Sequence, residues 1–296
     1  MPTVDFDFQR YVARKKGARA AQVREGAAYA YPGDVRLLRT LDKLRPVSLV
    51  LEETGRLWKS VARAEVLGTA VKALAPRYER VRVAVRRCAE ILHIDAPAVY
   101  ISPQPAGVLT LGTDEETYIV LSQGLLDMLS DDELLDVIGR ECGRIQNGHV
   151  PFGTALHYLT QNASTVVRWA VKPATLTLRS WARRADITAD RAGLLCARSL
   201  EVSQCALQKT AHGLKGGATG GSDASDDKPD AQALARRQRA LARFAGSMYY
   251  RTVVGRDSED GENTEDCDAA VADILDDKDL HKRKSSSDEG GAAGSN

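Results

Sequence analysis

Apolar residues recur at helical spacing along most of the chain, and this pattern predicts a mostly helical protein. In the first third, the predicted helices cover residues 9–30, 35–44, 47–75 and 78–92. Pro46 and Pro76 mark two of the breaks between them, because proline disfavours a helical conformation in the residue before it. Asp34 follows a Tyr-Pro-Gly turn, and we expect it to cap the second helix.

The pattern changes to short apolar runs separated by turn residues after residue 97, which predicts three short strands. These cover residues 98–102, 109–112 and 118–121, and their succession predicts a small antiparallel sheet. A strong helix follows, with Ser130 and Glu133 spaced as a capping box and Asn147-Gly148 at its end. Further helices are predicted over 154–170 and 181–200.

The last third changes in composition. Residues 213–230 are rich in Gly, Ser and Asp and indicate a linker, and residues 231–254 hold a basic helix. Residues 255–296 are acidic and of low complexity, which is typical of a disordered tail with at most a helical turn near 271–275.

The net charge of +1 hides a gradient along the chain. Residues 1–90 carry a net charge of +9, residues 91–256 of +1 and residues 257–296 of −9. The overall balance argues against a nucleic-acid coat protein, so no nucleic-acid partner is predicted. The basic helices, which include Arg86 and Arg87, offer a surface for an acidic partner or a membrane, but a solvated face is the simpler interpretation.

The five cysteines form no CxxC motif and are odd in number, which favours a reduced, cytoplasmic protein. The first 25 residues lack the apolar segment of a signal peptide, and no uncharged apolar run approaches the roughly 20 residues of a membrane helix. We therefore expect a cytoplasmic chain with no transmembrane segment.

The segment with the clearest chemistry is 129–150, LSDDELLDVIGRECGRIQNGHV. It resembles the active-site helix of the HtpX-like and CAAX-prenyl-endopeptidase family of zinc metallopeptidases. That helix carries H-E-x-x-H, in which two histidines on one face bind zinc and the glutamate activates water. In this register Arg140 and Arg144 occupy the histidine positions, and Glu141 occupies the position of the general base.

A second segment, 185–195, supports the resemblance. Asp186 stands where the family carries a third ligand, a glutamate, and Asp190 stands where an aspartate supports the ligands. The resemblance covers about residues 91–212 and implies an α+β fold, a mostly helical gluzincin-like core with a small three-stranded sheet. Residues 1–90 then form a basic, helical N-terminal region.

The departures from the family pattern bear on function. Arginine has no lone pair to offer a metal, and two arginines add positive charge where a dication would bind. We therefore expect no metal cofactor and interpret Glu141 as a relic in an inactive pseudopeptidase that binds a peptide or protein in the former cleft. We also expect an ion-pair cluster there, with members Arg140, Arg144, Asp186 and Asp190.

Two alternatives to the inactive binding module stay open at this point. The first is an active zinc endopeptidase with Glu141 as general base and non-standard ligands. The second is a duplicate that has lost its function. Cys142 fits the apolar core better than a nucleophile's position, because His149 lies about two helical turns away. The spacing also does not support a substitute metal site made of His149 and the carboxylates of Glu141, Asp186 and Asp190.

Overall fold

The computed structural model describes residues 26–58, 64, 68–103, 107–161, 165–216, 231–257 and 259–276, and these are mostly helical. The helices are α1 (Pro32–Leu41), α2 (Arg45–Leu57), α3 (Glu79–Leu92), α4 (Gln123–Met128), α5 (Asp131–Gln146), α6 (Val150–Gln161), α7 (Thr165–Ala197), α8 (Leu200–Gly216), α9 (Ala231–Ala245), α10 (Met248–Val253) and α11 (Thr264–Asp276). The strands are β1 (Val71–Lys72), β2 (Ala98–Ser102), β3 (Val108–Gly112) and β4 (Thr117–Ser122), and a 3-10 turn covers Pro76–Tyr78.

The sheet has four strands in the order β1-β2-β4-β3, so the prediction of three antiparallel strands is wrong in two respects. β3 and β4 form an antiparallel hairpin, but β2 pairs with the other side of β4 in parallel. β4 therefore lies in the interior of the sheet and β3 at one edge. β1 lies within the stretch 47–75 that was predicted to be helical, and it was missed because two residues carry no period-2 signal.

Helix α5 lies at the centre of the molecule, and its predicted start is confirmed. The Ser130 hydroxyl accepts from Glu133 N at 3.2 Å, and the Glu133 carboxylate accepts from Ser130 N at 2.7 Å. The predicted end is also confirmed, since Asn147 is the C-cap and Gly148 has a φ of 69°. Both ends of the helix are thus set by local sequence.

Helices α5 and α7 cross in close contact because small residues lie at the crossing. A Cβ atom on Gly143 would lie 2.4 Å from the Cβ atom of Ala192, and one on Gly193 would lie 2.6 Å from Cγ of Arg140. These contacts are too short for any side chain, so glycine at both positions permits the approach. The close approach brings the polar groups of the two helices into direct contact.

The lengths of α6 and α7 differ from the prediction. Helix α6 begins at Val150, because Pro151 is accommodated in a first helical turn, where its missing N–H is not needed. Helix α7 spans 33 residues, far more than the predicted 181–200. None of the helices within the described ranges is both long and apolar enough to cross a membrane.

The C-terminal third is more ordered than its composition predicts. Helix α8 continues to Gly216, past the predicted start of the linker, and the predicted basic helix is α9. The expected disordered tail instead contains α11, in which Cys267 and Val271 are buried at helical spacing. Asp268 also pairs with the buried Arg191 at 2.6 Å. Residues 217–230 and 277–296 lie outside the described residues, as do residues 9–25 of the helix predicted over 9–30. The last part of that prediction is wrong, because residues 26–30 form a turn.

The prediction that Asp34 is an N-cap is wrong. Asp34 is instead the centre of a buried polar network. Tyr31 occupies the N-cap position of α1, and Asp34 lies fully buried in the first turn. Its carboxylate accepts hydrogen bonds from Trp181 Nε1 at 2.9 Å and from the Thr188 hydroxyl at 2.6 Å. His149 Nε2 lies 2.9 Å from the same carboxylate. The network therefore ties α1 to α7 and to the loop after α5.

We expect Asp34→Ala to lower the free energy of unfolding by about 2–4 kcal/mol, because the buried Trp181 and Thr188 donors lose their acceptor and His149 loses its neighbouring carboxylate. Urea unfolding followed by circular dichroism measures this change. Asp42→Ala, at an exposed position just after α1, is the control and should change the free energy of unfolding by no more than about 0.5 kcal/mol. Equal effects of the two substitutions would contradict a structural role for Asp34.

Candidate functional site

The candidate site lies where α5, α7 and α9 meet. On α5, positions 140, 141 and 144 share one side of the helix, which faces the carboxylates of α7. Those carboxylates, Asp186 and Asp190, are one helical turn apart and therefore lie on one face as well. The structure thus brings the four proposed ion-pair residues and Glu141 into one cluster.

Each arginine of α5 contacts one carboxylate of α7. Arg144 Nη2 donates to Asp186 Oδ1 at 2.6 Å, and Arg140 Nε lies 3.3 Å from Asp190 Oδ1. Arg144 Nε also lies 3.6 Å from Glu141 Oε1. Both guanidiniums are within ion-pair distance of α7; Arg140 is buried, whereas the Arg144 side chain is 24% exposed.

Arg237 is a member of the cluster that the sequence did not indicate. Its guanidinium binds Asp190 through two hydrogen bonds, from Nε at 2.8 Å and from Nη2 at 2.6 Å. Its Nη1 lies 3.6 Å from Asp186 Oδ2. The two-pronged geometry matches a carboxylate and makes this the best-formed ion pair of the cluster. The basic composition of α9 was visible in the sequence, but no local pattern indicates which of its arginines points inward.

Glu141 is enclosed on the side of the sheet. Its residue surface is only 3% exposed, and Oε2 accepts a hydrogen bond of 2.6 Å from the Thr110 hydroxyl. Thr110 lies in the middle of β3, which places this strand directly over the site. Thr110 was also missed from the sequence, since the period-2 pattern marks only that one face of β3 is buried.

The electrostatics favour the charged form of the cluster. Burial raises the pKa of Asp186, but the Arg237 and Arg144 guanidiniums outweigh burial and hold this pKa at about 2. Burial lowers the pKa values of Arg144 and Arg237, yet the facing carboxylates, Asp186 foremost, raise both above the usual range. Three guanidiniums therefore face three carboxylates, and the cluster is close to neutral.

Asp136, one turn before Arg140, is a fourth acidic side chain beside this cluster. It is fully buried, and neither carboxyl oxygen has a hydrogen-bond partner of normal geometry among the described residues. Burial raises its pKa to about 7, against the opposing influence of Arg140 and the Ser203 hydroxyl. Its neutral form completes the charge balance, because the three arginines are already matched.

These residues do not fit the zinc that the family resemblance implies. The two positions of the histidine ligands hold guanidiniums, which have no lone pair, and Asp186 and Asp190 are already bound by arginines. His149 points to Asp34 instead, and Cys142 is buried in the core with its pKa raised by burial. Within the part of the chain that the structure describes, no group of three or more His, Cys, Asp or Glu side chains is arranged to hold a metal.

The fold and the order of its motifs define the class. Residues 77–252, more than half of the chain, match the profile of Peptidase family M48, and the chain belongs to this family. The matched range is wider than the 91–212 of the motif resemblance and includes α9 with Arg237. No solved structure matches the chain.

One curated relative is the plastoglobule-localized metallopeptidase 48, chloroplastic, of Arabidopsis thaliana. It is 31% identical over 182 residues, which is 60% of this chain and 52% of the relative. The chain thus spans about half the length of the curated relative it matches.

We expect Asp136→Asn to stabilise the protein above pH 7 and to have little effect at pH 4. Between the unfolded pKa near 4 and the folded pKa of about 7, only the folded state holds the proton, so wild-type stability falls as pH rises. The asparagine side chain carries no ionisable proton, so the stability of the variant relative to the wild type should rise between about pH 4 and pH 7. Thermal unfolding at steps from pH 4 to pH 8 measures the effect. The exposed Asp132→Asn is the control, and a pH-independent difference for Asp136→Asn would contradict the assignment.

Proposed function

We propose that this chain is a catalytically inactive, HtpX-like member of the M48 family that works as a protein- or peptide-binding regulatory module. The observation that carries the proposal is the pairing of Arg144 with Asp186 at 2.6 Å, across the two helices that a zinc ion joins in the family pattern. The resemblance assigns both positions to metal ligands. A guanidinium-carboxylate pair at the same place replaces the link that the metal would make.

The surroundings of Glu141 support the loss of catalysis. A general base in this family acts on a metal-bound water, and its carboxylate must face that water. Here one oxygen of Glu141 accepts from Thr110 and the other faces Arg144. The carboxylate is thereby held in a structural role, which supports its interpretation as a relic.

Binding is the activity that such a fold retains. β3 is one of the two edge strands of the sheet. The resemblance gives the strand in this place the task of aligning a peptide substrate, although residues 105–108 read Pro-Ala-Gly-Val where the family tends to show an Asn-Ala pair. An extended peptide that adds to an edge strand gains main-chain hydrogen bonds without any catalytic group. We therefore place the bound segment along β3, next to the ion-pair cluster. A cytoplasmic location stays a prediction, and the compartment in the relative's name belongs to that protein.

The test is to restore the zinc ligands. We compare the wild type, the triple variant Arg140→His/Arg144→His/Asp186→Glu, and the triple variant with Arg237→Gln added. The wild type and the triple variant should bind little zinc, because Arg237 keeps its charge on Asp190 and beside position 186. The variant with Arg237→Gln should take up about one zinc per chain. Elemental analysis after dialysis gives the stoichiometry.

Two controls decide the outcome. Arg243→Gln, at an exposed position of the same helix, replaces Arg237→Gln in a matched variant that should stay free of zinc. Casein cleavage is measured for every variant with and without chelator, and circular dichroism confirms folding. Stoichiometric zinc in the wild type together with chelator-sensitive cleavage would overturn the proposal in favour of an active endopeptidase that uses Glu141 as base.

A further inference from the structure

The solvent-exposed side of α3, together with β1 and the turn after it, combines exposed aliphatic side chains with basic ones. The function proposed above gives this surface no role. Leu74 is 61% exposed, Val71 48% and Val83 37%. Five basic side chains are exposed within the same stretch of chain: Lys72, Arg77, Arg82, Arg86 and Arg87. We call these eight residues the cationic-aliphatic patch.

A hydrogen bond within the patch shows that the turn after β1 lies against α3. Arg82 Nη1 donates to the carbonyl of Leu74 at 3.4 Å, which joins the turn to the helix. Val83, Arg86 and Arg87 follow on the same exposed side of α3, at the three- and four-residue spacing of a helix face. Arg80, by contrast, leaves this side and pairs with Asp131 at 2.8 Å.

The charge of the patch is strongly positive. Its one acidic neighbour within residues 71–87 is Glu79, which pairs with Arg82, and Glu90 lies one turn beyond Arg86. The patch thus carries five basic side chains, and Glu79 is the one acidic side chain within residues 71–87. A partner of negative charge therefore fits this surface.

Charge alone does not account for the three aliphatic side chains. An acidic peptide would pair with the arginines but would leave Leu74 and Val71 in water. An anionic bilayer offers both a negative surface and an apolar phase a few ångströms below it, which is the combination that basic and aliphatic side chains on one face recognise. The long arginine side chains can hold their charges at the headgroups while the aliphatic groups enter below them.

We propose that the cationic-aliphatic patch docks this protein on the surface of membranes that contain anionic lipids. The contact is peripheral and reversible, and it involves β1, the turn at Leu74 and the exposed face of α3. It is independent of the arginine-carboxylate cluster and of the proposed loss of catalysis.

The test is sedimentation of the full chain with vesicles. Vesicles of phosphatidylcholine alone are compared with vesicles that contain about 30 mol% phosphatidylserine. The bound fraction should rise about tenfold or more with the anionic lipid, and should fall when the salt concentration is raised to about 0.5 M. Equal binding to both kinds of vesicle, or to neither, would overturn the proposal.

A matched pair of variants locates the contact. Leu74→Ser/Arg82→Glu changes an exposed leucine and an arginine paired with a glutamate three residues before it. Leu49→Ser/Arg56→Glu makes the same changes on α2, where Leu49 is 52% exposed and Arg56 pairs with Glu53. The first variant should lose binding about tenfold and the second should bind as the wild type does.

Thermal unfolding of both variants checks that they remain folded to the same extent. If both variants lost binding equally, the loss would come from the lower net charge of the protein, and the proposal that the patch is the contact surface would be wrong. If the protein bound polyglutamate but not anionic vesicles, the patch would be a site for an acidic chain, and the membrane proposal would be wrong.

Discussion

The fork of hydrogen bonds between Arg237 and Asp190 is the interaction on which the arrangement of the site depends. Arg237 supplies the third positive charge of the cluster, and it comes from α9. Without it, the two arginines of α5 would face three carboxylates. A buried charge without a partner costs several kcal/mol, so each helix needs the other two in place. The approach itself is possible because Gly143 leaves room for Ala192, and Gly193 for the Arg140 side chain, at the crossing of α5 and α7.

This charge balance explains both the fold and its proposed loss of catalysis. A zinc site joins its helices through a removable ion and keeps one position open for water, whereas arginine-carboxylate pairs join the same helices permanently and leave no open coordination position. Asp136 lies beside this balanced cluster, and burial keeps it protonated up to about pH 7 against the opposing influence of the Arg140 guanidinium. Binding along the edge strand β3 does not require the metal, and so it is compatible with this replacement.

Local signals predicted α5 well and long-range contacts poorly. The capping box at Ser130 lies within one turn and was readable from the sequence, whereas Arg237 lies 47 residues from Asp190 and no pattern joins the two. Asp34 has the sequence context of a helix cap, but the tertiary partners on α7 gave it a different role. In α11 the acidic composition concealed a helix of 13 residues, of which the sequence predicted at most a turn near 271–275. The resemblance indicated where Arg144 and Asp186 would lie but nothing of α9.

The most direct test of the central claim is a double-mutant cycle between Arg237 and Asp190, with each residue replaced by alanine singly and together. Urea unfolding gives the free energy for the four proteins, and the difference isolates the coupling between the two side chains. The account predicts a coupling of about 2 kcal/mol or more, as measured for close charge pairs away from solvent. A coupling below about 0.5 kcal/mol would show that the two residues contribute independently, and would contradict the claim that this ion pair holds α7 and α9 together.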